Sequence, residues 1–144
     1  MKVFSSVIFL LFFYVMNISA SEIKGYPVKK IANNTYVIHG TLEVPNKQNK
    51  GFMNNPGFVI TKTGVVVIDP GSSVQVGRMV LNKIKILTKK PVTHVFNTHI
   101  HGDHWLGNQA FADAYPKAII IAHPEMIKRA KAGLAEQWVA VMSK

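Results

Sequence analysis

The chain has 144 residues, with 17 basic and 7 acidic side chains, a formal net charge of +10 and no cysteine. The lack of cysteine excludes disulfides and any thiolate ligand or nucleophile. Fifteen of the basic residues are scattered lysines, and only Arg78 and Arg129 offer the bidentate fork that suits phosphate, so a solvated surface and no nucleic-acid partner are expected.

The elements follow in chain order. Lys2, the apolar run 7–16 (VIFLLFFYVM) and Ile18-Ser19-Ala20 have the order of a secretory signal peptide. Residues 1–20 are therefore expected to be removed, leaving 21–144 as one small domain in the periplasm or outside the cell. An uncleaved anchor is the alternative, but the run is about half the length of a membrane-spanning helix. No second such run follows, so no stable membrane insertion is expected after cleavage. Residues 35–39 (TYVIH) form a β-branched and aromatic strand. Residues 57–61 (GFVIT) and 65–69 (VVVID) flank Lys62-Thr63-Gly64, a hairpin signal. Ser72 or Ser73 caps a helix reaching about Leu87, with Val76, Val80, Ile84 and Leu87 on one stripe. Residues 91–97 (PVTHVFN) form a strand, 99–104 a polar loop, 105–114 a helix, and 118–122 (AIIIA) a buried-type strand. Pro124 opens a final helix that runs through Trp138. The stretch 42–56 is a long irregular loop, of a kind that serves as a lid or is simply mobile.

Residues 98–108 read THIHGDHWLGN, with four potential metal ligands within six positions. Alternate side chains of an extended segment share a face, so His99 and His101 point the same way. Gly102 permits a sharp turn, after which Asp103 and His104 converge on nearly the same point. Imidazole pairs suit zinc, and an Asp with a His suits a second ion nearby. A solvated histidine-rich loop is the plain alternative. His39 and His94 fall in strand patterns as packed or surface residues. His123 ends a strand on the side where His99 begins its loop, and a supporting role there is the less favoured reading.

His99-x-His101-x-Asp103-His104 resembles the signature of the metallo-β-lactamase superfamily. VVVIDPG at 65–71 and PVTHVFNTHIHGDHWLGNQAF at 91–111 extend the resemblance, which covers roughly 35–123. It implies an α/β fold, the N-terminal half of an αββα sandwich, present here as one mixed β-sheet with helices. It implies His99 and His101 on a first zinc and Asp103 and His104 on a second, with a bridging hydroxide that Asp103 orients for catalysis and Asp69 steadying the ligand loop. Two Zn2+ ions per complete site are implied, with Fe2+ as the alternative metal. The implied activity is hydrolysis of a small-molecule substrate by an exported enzyme. The substrate is an ester, thioester, lactone or β-lactam. The alternatives are an iron-dependent sulfur dioxygenase, a nuclease (disfavoured by the signal segment and scarce arginine) or an inactive truncated remnant. The arrangement is most similar to the glyoxalase-II-like and periplasmic metallohydrolase branch.

The family's remaining ligands and second sheet lie downstream of the stretch matched here, so the chain is expected to be the N-terminal half of the fold. An apolar sheet face is then expected to be open, with Val59, Val65, Val67 and Ile120 losing cover. An oligomer, or a partner chain completing the fold, is the expected consequence.

Overall fold

The computed structural model describes residue 23 and residues 25–143. The signal segment expected at 1–20 lies outside the described residues. Six strands form one sheet in the order β1-β2-β3-β4-β5-β6. They are β1 (Val28–Ala32), β2 (Thr35–Ile38), β3 (Gly57–Ile60), β4 (Val65–Ile68), β5 (Val92–Asn97) and β6 (Ile119–Ala122). The first four are antiparallel neighbours, and β5 and β6 continue the sheet in parallel. A parallel step needs a crossover rather than a hairpin. α1 (Val74–Leu87) supplies the crossover from β4 to β5 and α2 (Asn108–Ala114) that from β5 to β6. The chain continues into α3 (Pro124–Arg129) and α4 (Ala135–Met142). The mixed α/β architecture agrees with the expectation.

The hairpin between β3 and β4 forms where Gly64 was expected to turn it. Thr61 N donates to Gly64 O at 2.8 Å, and Gly64 N donates to Thr61 Oγ1 at 3.1 Å. At the start of α1 the Ser73 hydroxyl accepts from Val76 N at 3.2 Å, the geometry of an N-cap. Val76, Val80 and Ile84 are fully buried, whereas Leu87, at the last position of the stripe, is 44 % exposed.

Four local expectations need correction. β1 was not anticipated: VKKIA carries Lys29-Lys30 and four of its five residues are exposed, as suits an edge strand whose charges discourage further pairing. β6 is the other edge, and its isoleucines are not of the buried type: Ile119 is 56 % and Ile120 40 % exposed. α2 starts at Asn108 rather than Trp105, because residues 105–107 form a turn in which Gly107 N donates to Gly71 O at 2.8 Å. The last helical stretch is broken at Ala132 and Gly133, the latter with φ of 101°, a left-handed conformation that glycine adopts without steric cost.

Side chains alternate across a strand, so the sheet has two faces. Ile38, Phe58, Val65, Val67 and Val95 take one face and join Val76, Val80 and Ile84 of α1 in a single core. The register sets Val59 opposite Val66 and Ile68 beside Phe96 on the other face. That face is open: Val59, Val66 and Ile68 are half-buried and Phe96 is exposed. Val65 and Val67 therefore do not lose cover, because the packing of α1 gives them the helical side of the sheet. Val59 does, on the open face; Ile120 lies beside Val95 on the helical side and is exposed because β6 is the edge of the sheet.

The 42–56 stretch is fastened down. The Asn49 carboxamide oxygen accepts from Asn46 N at 2.9 Å and Gly51 N at 2.8 Å. Phe52 is fully buried and meets Tyr26 edge-on, with ring centroids 4.6 Å apart.

Candidate metal centre

Ile68 of β4 is the register partner of Phe96 of β5, so the segments after both strands leave the sheet at the same edge. The ends of parallel strands are where α/β sheets commonly place ligand sites. Asp69 turns the chain out of β4 with φ of 52°, a conformation that Asp tolerates better than most residues. Its backbone N–H still donates to Phe96 O at 2.8 Å. The carboxylate is thereby aimed at the segment leaving β5. Oδ1 accepts from Thr98 N at 2.8 Å, and Oδ2 accepts from Thr98 Oγ1 at 2.7 Å and from His104 Nδ1 at 2.8 Å.

These bonds determine the imidazole tautomers. The single Thr98 hydroxyl proton goes to Asp69, so Thr98 Oγ1 accepts from His99 Nδ1 at 2.9 Å. The His99 Nε2 lone pair is then free. His104 uses its Nδ1–H on Asp69 and directs Nε2 toward Asp103, 3.2 Å from Oδ2. Tautomer control by a hydrogen bond to the far nitrogen is what metal-binding histidines require.

Of the four ligand candidates, His99 and His104 fall with Asp69 in one group of converging ligand atoms, and His101 and Asp103 lie alongside but outside that group. The His99 ring lies 4.8 Å from that of His101 and 4.1 Å from that of His104, centroid to centroid, and Asp103 is beside His104. His99 and His101 therefore project to one side of their segment. The nearest ligand atoms of Asp69, His99 and His104 lie within 4.8 Å of one another. Both oxygens of Asp69 already accept hydrogen bonds, two of them at Oδ2, so Asp69 holds Thr98 and His104 in place.

Burial opposes ionisation of Asp69 and Asp103, but the His104 hydrogen bond and their other partners hold both below the usual carboxylate value. Burial likewise opposes charge on His104, yet its hydrogen bonds to Asp103 and Asp69 overcome it and push its pKa up to about 9. His99 moves the other way, lowered by burial and by the neighbouring His104 and His101, against the pull of Asp69 and Asp103. Without a metal, the proton on His104 occupies the cationic position between two carboxylates.

The donor set fits a divalent ion. Imidazole and carboxylate are the donor types such an ion takes, and the 3.2 Å hydrogen-bonded contact between His104 Nε2 and Asp103 Oδ2 is one that an ion would replace. His99 and His101 supply two further imidazoles alongside.

Three residues of the site are absent from the sequence-based reading. Thr98 couples Asp69 to His99. Trp105 Nε1 donates to Ile100 O at 2.8 Å, closing the ligand loop. Trp138, from α4, packs on the His101 ring at 5.0 Å between centroids. It also explains Gly102: a Cβ there would meet Trp138 Cβ at 2.9 Å and Leu106 Cδ1 at 3.0 Å. The glycine serves this close approach rather than a left-handed turn. The other histidines stay outside. His39 is exposed just past β2, and His94 is half-buried within β5. His123 is exposed, and its Nδ1 caps α3 by accepting from Glu125 N at 3.2 Å.

This chain belongs to the metallo-beta-lactamase superfamily, whose family model matches residues 49–142. Solved structures share the fold. A metallo-beta-lactamase from Hirschia baltica superposes with a TM-score of 0.61 at 16% identity, over 76% of this chain and 48% of that one. One from Pontibacter korlensis gives 0.58 at 21%, over 75% and 48%. An inverting sec-alkylsulfatase from Pseudomonas sp. gives 0.58 at 20%, over 74% and 16%. The chain thus spans about half the length of these lactamases and less of the sulfatase. A search of curated protein sequences returned no match.

Proposed function

We propose that the chain carries the His99, His101, Asp103 and His104 half of a zinc hydrolase centre that cleaves an ester, thioester, lactone or β-lactam. The observation that carries this reading is the ordered chain from Asp69 through Thr98 and His104, which presents the His99 Nε2 lone pair, the Asp103 carboxylate and a His104 Nε2 whose proton a metal would displace. In this assignment His99 and His101 hold one ion, and Asp103 and His104 hold the other. The chemistry such a centre supplies is Lewis-acid polarisation of a carbonyl and a water acidified toward neutral pH. The chain's own contribution is positional. Asp69 and Thr98 fix the imidazole tautomers, Trp138 shields one side of His101, and Asp103 orients the attacking water.

Cobalt is the probe. The chain is expected to bind Co2+ with a visible d–d spectrum, and His99→Ala and Asp103→Ala are expected to alter different components of it. Two ligands per ion from the described residues are fewer than the three typical of catalytic zinc, so the bound metal should be lost on dialysis. Metal analysis of protein from cells separates zinc from iron. Asp103→Ala in the whole enzyme should lower turnover on the order of 100-fold, the scale of losing a group that positions a reacting water. No Co2+ binding by the wild-type chain would sink the metal reading, and near-normal turnover in Asp103→Ala would place the water elsewhere.

Export is part of the same proposal, supported by the segment 1–20. Among the described residues no helix is long and apolar enough to cross a membrane. N-terminal sequencing of exported protein should begin at or near Ser21; a soluble cytoplasmic form starting at Met1 would refute it. The open face bearing Val66, Ile68 and Phe96 also makes self-association the expected state of this chain, since contiguous exposed apolar surface drives it. Phe96→Lys should shift sedimentation toward the monomer, and an unchanged profile would count against that face.

A further inference from the structure

The strand directions sort the charges of the chain to two ends of the sheet. β5 and β6 begin side by side, with His94 opposite Ile119. Lys117, just ahead of β6, therefore lies at the same end as Lys89 and Lys90, just ahead of β5. The β3–β4 hairpin turns at that end too. Val65 N donates to Pro91 O at 2.8 Å and Lys90 Nζ to Thr61 O at 2.7 Å, which sets Lys62 beside Lys90. α1 delivers Lys85 there in its last turn. Lys62, Lys85, Lys89, Lys90 and Lys117 are all exposed, and none makes an ion pair among the described residues. Among the described carboxylates, Asp113 near the end of α2 is the one at this end. Glu43, Asp69, Asp103, Glu125 and Glu136 follow the C-terminal ends of β2, β4, β5 and β6, at the end that carries the metal centre.

Two aliphatic side chains stand among these lysines. At the end of α1, Ile86 is 82 % exposed and Leu87 44 %. Ile86 lies off the buried stripe of Val76, Val80 and Ile84, on the helix face where a solvated helix carries a polar residue. It is preceded by Lys85 and followed closely by Lys89 and Lys90. A lone exposed aliphatic residue is ordinary. Protruding from a lysine cluster, it matches the two layers of a bilayer interface, with ammonium groups at anionic headgroups and aliphatic groups at the acyl boundary. A nucleic acid fits less well. Its phosphates favour arginine forks, whereas Arg78 lies in the first half of α1 and Arg129 in α3, and its backbone would give Ile86 nothing apolar to meet.

We propose that this end of the molecule rests on an anionic lipid surface, with Lys62, Lys85, Lys89, Lys90 and Lys117 at the headgroups and Ile86 and Leu87 at the acyl boundary. The contact is peripheral, and it turns the metal centre toward water. The test needs no metal. The full chain, in EDTA at low ionic strength, is sedimented with vesicles of phosphatidylcholine alone and of phosphatidylcholine with phosphatidylglycerol. Residues 1–20 are common to every variant and set the baseline on the neutral vesicles. Tighter partitioning onto the anionic vesicles is expected, falling toward that baseline at high salt. A lysine at such a surface contributes roughly fivefold, so Lys62→Gln, Lys89→Gln and Lys117→Gln together should weaken binding on the order of 100-fold. The charge-matched set Lys47→Gln, Lys50→Gln and Lys131→Gln, at the metal-centre end, should cost less than about tenfold, because those side chains face away from the lipid. Ile86→Gln should weaken binding roughly tenfold and keep its salt dependence. All seven side chains are exposed, so the variants should keep the wild-type thermal midpoint. The proposal is overturned if anionic vesicles bind no better than neutral ones, if the two lysine sets lose equally, or if Ile86→Gln binds unchanged. It is also overturned if duplex DNA binds as tightly through the same lysines, which would make this end a nucleic-acid surface.

Discussion

Gly107→Ala is expected to destabilise the protein by about 2–3 kcal/mol, the upper part of the usual overpacking range. The backbone at Gly107 has φ of −75° and ψ of −8°, which alanine adopts readily, so the cost is purely one of space. A Cβ there would stand 2.6 Å from Pro70 O, 3.0 Å from Pro70 C and 3.1 Å from Gly71 O. All three atoms are backbone in the turn that follows Asp69, and a backbone turn cannot rotate aside as a side chain can. Gly77 belongs to the same contact, since its Cβ would meet Gly107 O at 2.6 Å and Ala110 Cβ at 2.9 Å. These two glycines let α1 and α2 approach closely enough to bring the Asp69 turn against the ligand loop. Urea midpoints for Gly107→Ala, Gly77→Ala and Gly57→Ala provide the measurement. Gly57 is the control, because its nearest neighbour to a new Cβ is Tyr36 O at an ordinary 3.6 Å; a change within about 0.5 kcal/mol is expected there. Equal midpoints for Gly57→Ala and Gly107→Ala would show that the turn and α2 are not packed as described.

Asp69→Ala should cost about 2–3 kcal/mol in metal-free protein and lower zinc affinity by roughly 10–100-fold. It removes the acceptor for Thr98 N, Thr98 Oγ1 and His104 Nδ1 at once. The stability estimate is kept below that of a fully buried pair because the His104 side chain is 23% exposed. Asp69→Asn should behave almost as badly toward metal, since in either orientation the amide NH2 faces a donor, Thr98 N on one side or Thr98 Oγ1 and His104 Nδ1 on the other. The pH dependence has a defined sign. The pKa of His104 is raised from 6.5 to about 9 in the folded protein, so its contribution is complete below 6.5 and lost as pH rises through about 9. That of Asp69 is lowered from 3.8, so its contribution is present above 3.8 and lost as pH falls below it. In EDTA the stability gap between wild type and Asp69→Ala should therefore be widest between these limits and shrink at both ends. A gap independent of pH would mean that the Asp69–His104 contact contributes nothing to stability.

Much of the arrangement is legible in the sequence because its causes are local. The two-residue period of VVVID, the helical period of Val76, Val80 and Ile84, and the Thr61–Gly64 turn each act over a few residues. β1 escapes such reading because an edge strand is held by pairing with a neighbour, not by burial, and its lysines carry no alternation toward a core. The exposed isoleucines of β6 mislead for the opposite reason: they have a buried composition without the burial.

The candidate ligands show the same division. The spacing of His99, His101, Asp103 and His104 by itself determined that the four could converge, since alternation along an extended segment and one tight turn are properties of the local chain. Only the tertiary structure decided what fixes them. The parallel pairing of β4 with β5 brings Asp69 to Thr98 and His104, 29 and 35 residues further on. α4 folds back to lay Trp138 on His101, and α1 chooses the covered face of the sheet, leaving Val66, Ile68 and Phe96 open. Each of these depends on which elements become neighbours, and that is decided by closing long loops and burying a shared core, which no short run of residues encodes.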